Sequence, residues 1–328
     1  MRWWNSALRG LKRVALCREG GARAIWKLLF AYAAYLLWAW LIAYALSWGF
    51  GALFHAWNLS AATAVRAPSW AQWLFANYGR IISLVSSAGV VALAHGLLRL
   101  LAGGKMEKLR PRDLTVGALW GLLPVLVGAA LFLLVDSMRL YERTLSPTPD
   151  LLWMLAIYFA AALAEERFAR GLTMRVAALH ARPVWGYVAS AAMLLAITGS
   201  YALPPLGIVN MLLTAVLCAR LSATGHAGTS VGLRCAWSWA ANALAAFPGG
   251  NTASRPALQL YEVSEHWLTG GASGLICGAW MTLVLLALTL WLFRQPLRAP
   301  ALQESKITPQ RPTARGALRA LEAHIPKL

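Results

Sequence analysis

At residues 165–175 the chain reads EERFARGLTMR, two adjacent glutamates with an arginine four residues after the second. An apolar run precedes them, Ile157 to Leu163, broken only by the hydroxyl of Tyr158. Carboxylates beside hydrocarbon are costly, and such residues face a protein interior and act there. On a helix Glu166 and Arg170 share a face and can form an ion pair. Glu165 points about 100° away, which leaves it without that cation and able to exchange a proton. Dividing the environments of two carboxylates is a recurring arrangement for general acid–base chemistry. The same spacing also suits glutamates at the cytoplasmic end of a helix, paired with Arg167 and Arg170. Spacing leaves both readings open.

The elements that must position these residues are helices. The chain has 328 residues, of which 59% are hydrophobic and 13% charged, against about 25% charged in soluble domains. Its mean hydropathy is +0.56. Apolar runs of roughly 20 residues, the length that crosses a bilayer as a helix, predict an all-α polytopic transmembrane bundle of about eight spans. They fall near 28–49, 81–102, 114–136, 151–170, 184–203, 206–223, 230–247 and 272–293. Pro204 and Pro205 join the fifth and sixth as a helical hairpin. With a cytoplasmic N-terminus and alternating spans, the lysines and arginines collect on the inner side. Only Arg66, Arg80, Arg139, Arg143 and Arg255 stay outside. That bias places both termini in the cytoplasm, and an integral, multi-pass protein of a bacterial inner membrane is expected.

The same distribution accounts for the net charge of +18. Basic residues are spread over short loops and both termini, with no soluble patch sized to grip a duplex, so no nucleic-acid partner is expected. Cys17, Cys218, Cys235 and Cys277 form neither a disulfide framework nor a metal-ligand spacing. No cofactor and no metal are expected. The segment 1–27 is basic and amphipathic, without the pattern of a cleaved signal peptide. Trp3, Trp4, Trp26, Trp48, Trp70, Trp73 and Trp291 stand near predicted span ends, as interface anchors do. The basic tail 294–328 can lie on anionic lipid headgroups through its last residues, 314–328. Between these ends the organisation reads as three accessory helices over 28–136, a four-helix core over 150–247 and a last helix at 272–293.

The string Glu165-Glu166-Arg167-Phe168-Ala169-Arg170-Gly171-Leu172 resembles the first motif of the CPBP family, the CAAX proteases and bacteriocin-processing enzymes also called Abi. That motif reads E-E-x-x-x-R, often followed by G-x-L. The likeness covers roughly residues 150–247. The family's second motif, F-x-x-x-H, falls on 190–210 with its phenylalanine position at Leu194 and its histidine position at Thr198. The third region falls on 230–242, with its histidine position at Ser238 and its asparagine at Asn242. The chain thus keeps Glu165, Glu166, Arg170 and Asn242 and lacks both imidazoles.

The resemblance implies an intramembrane glutamic endopeptidase acting on a membrane-associated or prenylated-type protein or peptide. Glu165 would activate water, Glu166 and Arg170 would support it, and Asn242 would orient water or the oxyanion. Thr198 and Ser238 would stand in for the imidazoles. A hydroxyl donates a neutral hydrogen bond but cannot act as the acid there, and losing one oxyanion donor lowers rates by about 10²–10³. A second reading follows: a catalytically inactive relative that binds a membrane peptide or partner, in an immunity or assembly role. A third, an ion-coupled transporter using the intramembrane glutamates, lacks the internal repeat that would support it. His180 and His226 flank the matched regions, His95 is mid-span, and His55, His266 and His324 lie outside. No G-x-S-x-G, H-E-x-x-H or phosphate-cradling glycine loop is present.

Overall fold

A computed structural model describes residues 24–57, 68–141, 150–180, 183–249, 256–264 and 266–294. The first 23 residues of the expected N-terminal segment and the tail beyond Arg294 lie outside the described residues. The chain is all-α apart from one short strand pair. Helix α1 spans Ala24–Ala56, α2 Ser69–Ala102 and α3 Pro111–Leu134. Helix α4 runs over Asp150–Glu165 and continues as a π-helical segment, Glu166–Met174, into α5, Arg175–His180. Then come α6 at Pro183–Thr198, α7 at Pro205–Ala223 and α8 at Ala227–Trp239, the last continued by a π turn at Ala240–Leu244. A short helix, α9, covers His266–Thr269, and α10 covers Ala279–Arg294. Strand β1 (Met138–Leu140) pairs antiparallel with β2 (Leu260–Glu262), Arg139 opposite Tyr261, and clasps the loops at one end of the bundle.

Each predicted span falls on a helix. Among the described residues α1, α2, α3 and α7 are long and apolar enough to cross a membrane, and α6 and α10 are shorter apolar helices. The protein is therefore a membrane protein by the length and composition of its helices. The outward faces agree: Trp40, Tyr44 and Trp48 of α1 are all exposed, a display that water penalises and lipid does not.

Several boundaries differ from the hydropathy reading. Helices α1 and α2 run past their apolar cores at one end or both, because helical backbone continues wherever nothing interrupts its hydrogen bonds. The segment expected to open the last span at 272 instead makes two 3₁₀ turns, Gly271–Ser273 and Leu275–Cys277, before α10 begins at Ala279. Gly270 and Gly274, at φ of 94° and 89°, turn the chain there, a conformation that costs glycine little. Helix α6 stops at Thr198, where Gly199 takes a left-handed φ of 67°.

Helix α8 is the central post, packed against α3, α4 and α7. Its sequence explains why. AGTSVGLRCAW is rich in small residues, which lets backbones approach where no hydrophobic drive separates helix from lipid. A Cβ at Gly117, Gly121 or Gly232 would come within 2.1–2.3 Å of a backbone carbonyl oxygen on the facing helix. Helix α3 is thus a wall of the 150–247 core.

Two apolar clusters flank this post. Val125, Phe132, Leu217, Leu233, Trp237 and Met281 fill the space among α3, α7, α8 and α10. Leu98, Phe168, Leu172, Leu194 and Ala215 fill the space among α2, the π segment, α6 and α7.

Candidate functional site

Both π-helical stretches carry motif residues. Glu166–Met174 contains Glu166 and Arg170, and Ala240–Leu244 contains Asn242. A π turn widens the helix and shifts its side chains out of α register; such insertions recur at functional sites. Thr173 Oγ1 donates to Phe168 O five residues back at 3.0 Å, taking up a carbonyl from the altered ladder.

Glu166 is buried at 2% relative exposure. Its Oε2 accepts from Arg170 Nε at 2.8 Å and from Ser230 Oγ at 2.5 Å, and its Oε1 accepts from Ser222 Oγ. Three donors from the π segment, α7 and α8 hold this carboxylate, and one of them is the cation that compensates the buried charge. The predicted Glu166–Arg170 pair is present, and it works as a tie between three elements.

Glu165 has a different environment, and the expectation that it lacks a cation is corrected. Arg234 of α8 donates to it twice, Nε to Oε2 at 2.9 Å and Nη2 to Oε1 at 3.2 Å. The fork matches the carboxylate plane, the geometry in which guanidinium binds carboxylate best. Sequence spacing could not find Arg234, because it sits 69 positions away on another helix. Its one visible signal was an arginine inside an otherwise apolar span.

Glu165, Thr198, Ser238 and Asn242 line one cavity of about 260 Å³, together with Arg234, Ser200 and Ser273. They come from α4, α6, α8 and the turn after α8, and the 247–249 and 273–276 loops close the far side. Thr198 Oγ1 donates to Leu194 O at 2.7 Å and lies 2.6 Å from Ser200 Oγ. Asn242 Nδ2 donates to Ser238 O at 2.8 Å. Among the described residues the Ser238 hydroxyl has no protein partner, which leaves it available to an occupant. Glu165 and Thr198 also border a second cavity of about 350 Å³, walled by Tyr35, Ser86, Ser87, Val90 and Ala161.

The remaining predicted residues separate from this cavity. Glu166 and Arg170 border a small cavity of about 30 Å³ on the side of the 103–110 loop. Asn210, which ends the second matched region, is a structural clamp: its Nδ2 donates to Ile276 O at 2.7 Å and Gly278 O at 3.2 Å. Among the described residues no histidine lines the cavity of about 260 Å³. His95 Nδ1 lies 2.8 Å from Val91 O within its own helix, and His226 Nδ1 lies 3.6 Å from Asp113 Oδ1.

No protein-family model, curated protein or solved structure matches the chain. Among the described residues no group of three or more His, Cys, Asp or Glu is arranged to hold a metal ion. Among the described residues the cavity of about 260 Å³ offers one paired carboxylate, one guanidinium, four serine or threonine hydroxyls and one carboxamide.

Proposed function

We propose that this chain is a CPBP-like integral membrane protein, of about eight spans with both termini cytoplasmic in a bacterial inner membrane, that binds a peptide segment of a membrane-associated protein in the Glu165 cavity. One observation carries the reading: four of the six residues that the resemblance aligns with the family's site, Glu165, Thr198, Ser238 and Asn242, line one cavity although three helices supply them, while Glu166 and Arg170 border another. Hydroxyls and a carboxamide are donors and acceptors that pair with peptide N–H and C=O groups. The tail, on this reading, rests on anionic headgroups.

Retention of the peptide is better supported than its hydrolysis. Both carboxylate oxygens of Glu165 already accept from Arg234, and among the described residues no imidazole borders the cavity to supply an acid. Hydrolysis by Glu165-activated water stands as the second reading, favoured by the presence of that carboxylate on the cavity wall.

A photocrosslinking amino acid at Ser238, with membrane-tethered peptides as bait and mass spectrometry of the products, tests both. Intact crosslinked peptide without cleavage supports retention. Cleavage that disappears in Glu165→Gln supports hydrolysis. Neither crosslink nor cleavage across a peptide library overturns the assignment.

A further inference from the structure

The small cavity beside Glu166 is built for a charge that the chain does not supply. It is walled by Arg167, Arg170 and Arg175 and by only two carboxylates, Glu107 and Glu166. Lys105, Lys108 and Arg110 on the adjoining loop add to the positive surroundings. Two of these guanidiniums keep donors unused among the described residues. Arg170, whose side chain is 0% exposed, has no partner for Nη1 or Nη2 among the described residues, and Arg167 has none for Nε. The other ends of these side chains are fixed: Arg170 Nε binds Glu166 at 2.8 Å, Arg167 Nη1 donates to Glu107 O at 2.6 Å, and Arg175 Nη1 donates to Lys105 O. The guanidiniums cannot swing away to find other acceptors.

We propose that this cavity binds a monatomic anion, chloride in the cell, between the Arg167 and Arg170 guanidiniums. Size sets the class of ligand. A cavity needs about 10–15 Å³ of this measure to hold one water, and the volume here is about 30 Å³, too little for phosphate or a carboxylate-bearing metabolite. Donor polarity selects an anion over water. A water has two lone pairs, fewer than the three orphan nitrogens, Arg167 Nε and Arg170 Nη1 and Nη2, that carry unused N–H groups among the described residues. A halide accepts from several N–H groups at once and has nothing to donate. Its desolvation is offset by charge-assisted bonds to guanidinium. The bound ion ties the 103–110 loop to the π segment at the Glu166–Arg170 pair. Peptide binding in the other cavity is not required for it.

The test is thermal unfolding of the full chain in detergent, titrated with sodium chloride or bromide against sodium gluconate at constant ionic strength. The expected result is a saturable rise of about 2–4 °C with either halide and none with gluconate, halved or lost in Arg167→Lys. Crystals soaked in bromide should show an anomalous peak beside the Arg170 guanidinium. Superimposable halide and gluconate curves, or a halide rise that Arg167→Lys leaves unchanged, overturn the proposal. So does a water without anomalous signal at that position.

Discussion

Glu165 and Glu166 are neighbours in the chain, yet each has its own arginine: Arg234 from α8 holds the first and Arg170 from the same helical segment holds the second. The first pair borders the cavity of about 260 Å³ and the second the cavity of about 30 Å³. The division of labour expected from two adjacent carboxylates is present, but it divides access to two cavities, with both carboxylates carrying a cation.

The Glu165–Arg234 pair should behave as a unit. Glu165→Gln and Arg234→Gln each leave a partner poorly compensated inside the bundle, and the double variant should recover part of the loss. A double-mutant cycle on unfolding in detergent is expected to give a coupling of about 0.5–3 kcal/mol. Additive losses would show that the pair contributes nothing beyond its two separate side chains.

Glu166 is the more severe site. Glu166→Leu strands Arg170 as an uncompensated buried cation, at about 3–5 kcal/mol, and frees the Ser222 and Ser230 hydroxyls. Changing Arg170→Met as well should restore most of the stability, since an apolar pair of similar volume is tolerated. Melting temperature and expression level in membranes report both steps.

Gly121→Ala tests the backbone contact that seats α8. Its Cβ would lie 2.3 Å from Leu233 O, one residue before Arg234. The helices must part, at about 1–3 kcal/mol, and Arg234 moves with them. A cysteine pair placed across α3 and α8 away from the glycine should lose its crosslinking efficiency, whereas Gly79→Ala, with nothing within 4 Å, should change neither quantity.

Glu107, in the loop between α2 and α3, supplies a pH dependence. Burial pushes its carboxyl above the ordinary value; Arg175 opposes the shift, Glu166 adds to it, and Arg110 and Arg167 oppose it. A carboxyl raised in the folded state binds its proton more tightly there than when unfolded. Its contribution to stability is complete below the ordinary carboxylate value and is lost as pH rises through the folded value. Between about pH 4 and 7, the melting temperature of Glu107→Gln relative to the natural chain should therefore climb with pH. A constant difference would show that Glu107 does not titrate in that range.

What could be read from sequence followed from local rules. Apolar runs located a helix at every expected span, and the four-residue spacing located the Glu166–Arg170 pair, because both depend on neighbours along one helix. Arg234 escaped, since a partner across helices leaves no periodic signature. The π register also escaped: ERFARGLTM contains no proline or insertion to mark it, and the widening arises where the segment packs between α2, α6 and α7. The glycines from 270 to 278 were visible, but hydropathy averaged over a 20-residue window passed straight through them. Alignment to the family pattern located Thr198, Ser238 and Asn242, and their convergence on one cavity depends on the bundle's tertiary packing.

Helices α1 and α2, at 33 and 34 residues, are each about 50 Å long, while the hydrocarbon layer of a bilayer is about 30 Å thick. Such a mismatch is met by leaning or by projecting beyond the headgroups. Helix α1 has only Ala31 and Phe54 buried, and it is held to its neighbours by Tyr35, which donates to Ile197 O at 3.2 Å, and by Phe54 against Phe75. Helix α2 is moored, through the 2.9 Å bond from Arg80 to Asp150, to the first turn of the helix that ends in Glu165. A lean of α2 in a bilayer of different thickness would therefore load the first turn of α4, whose other end carries Glu165.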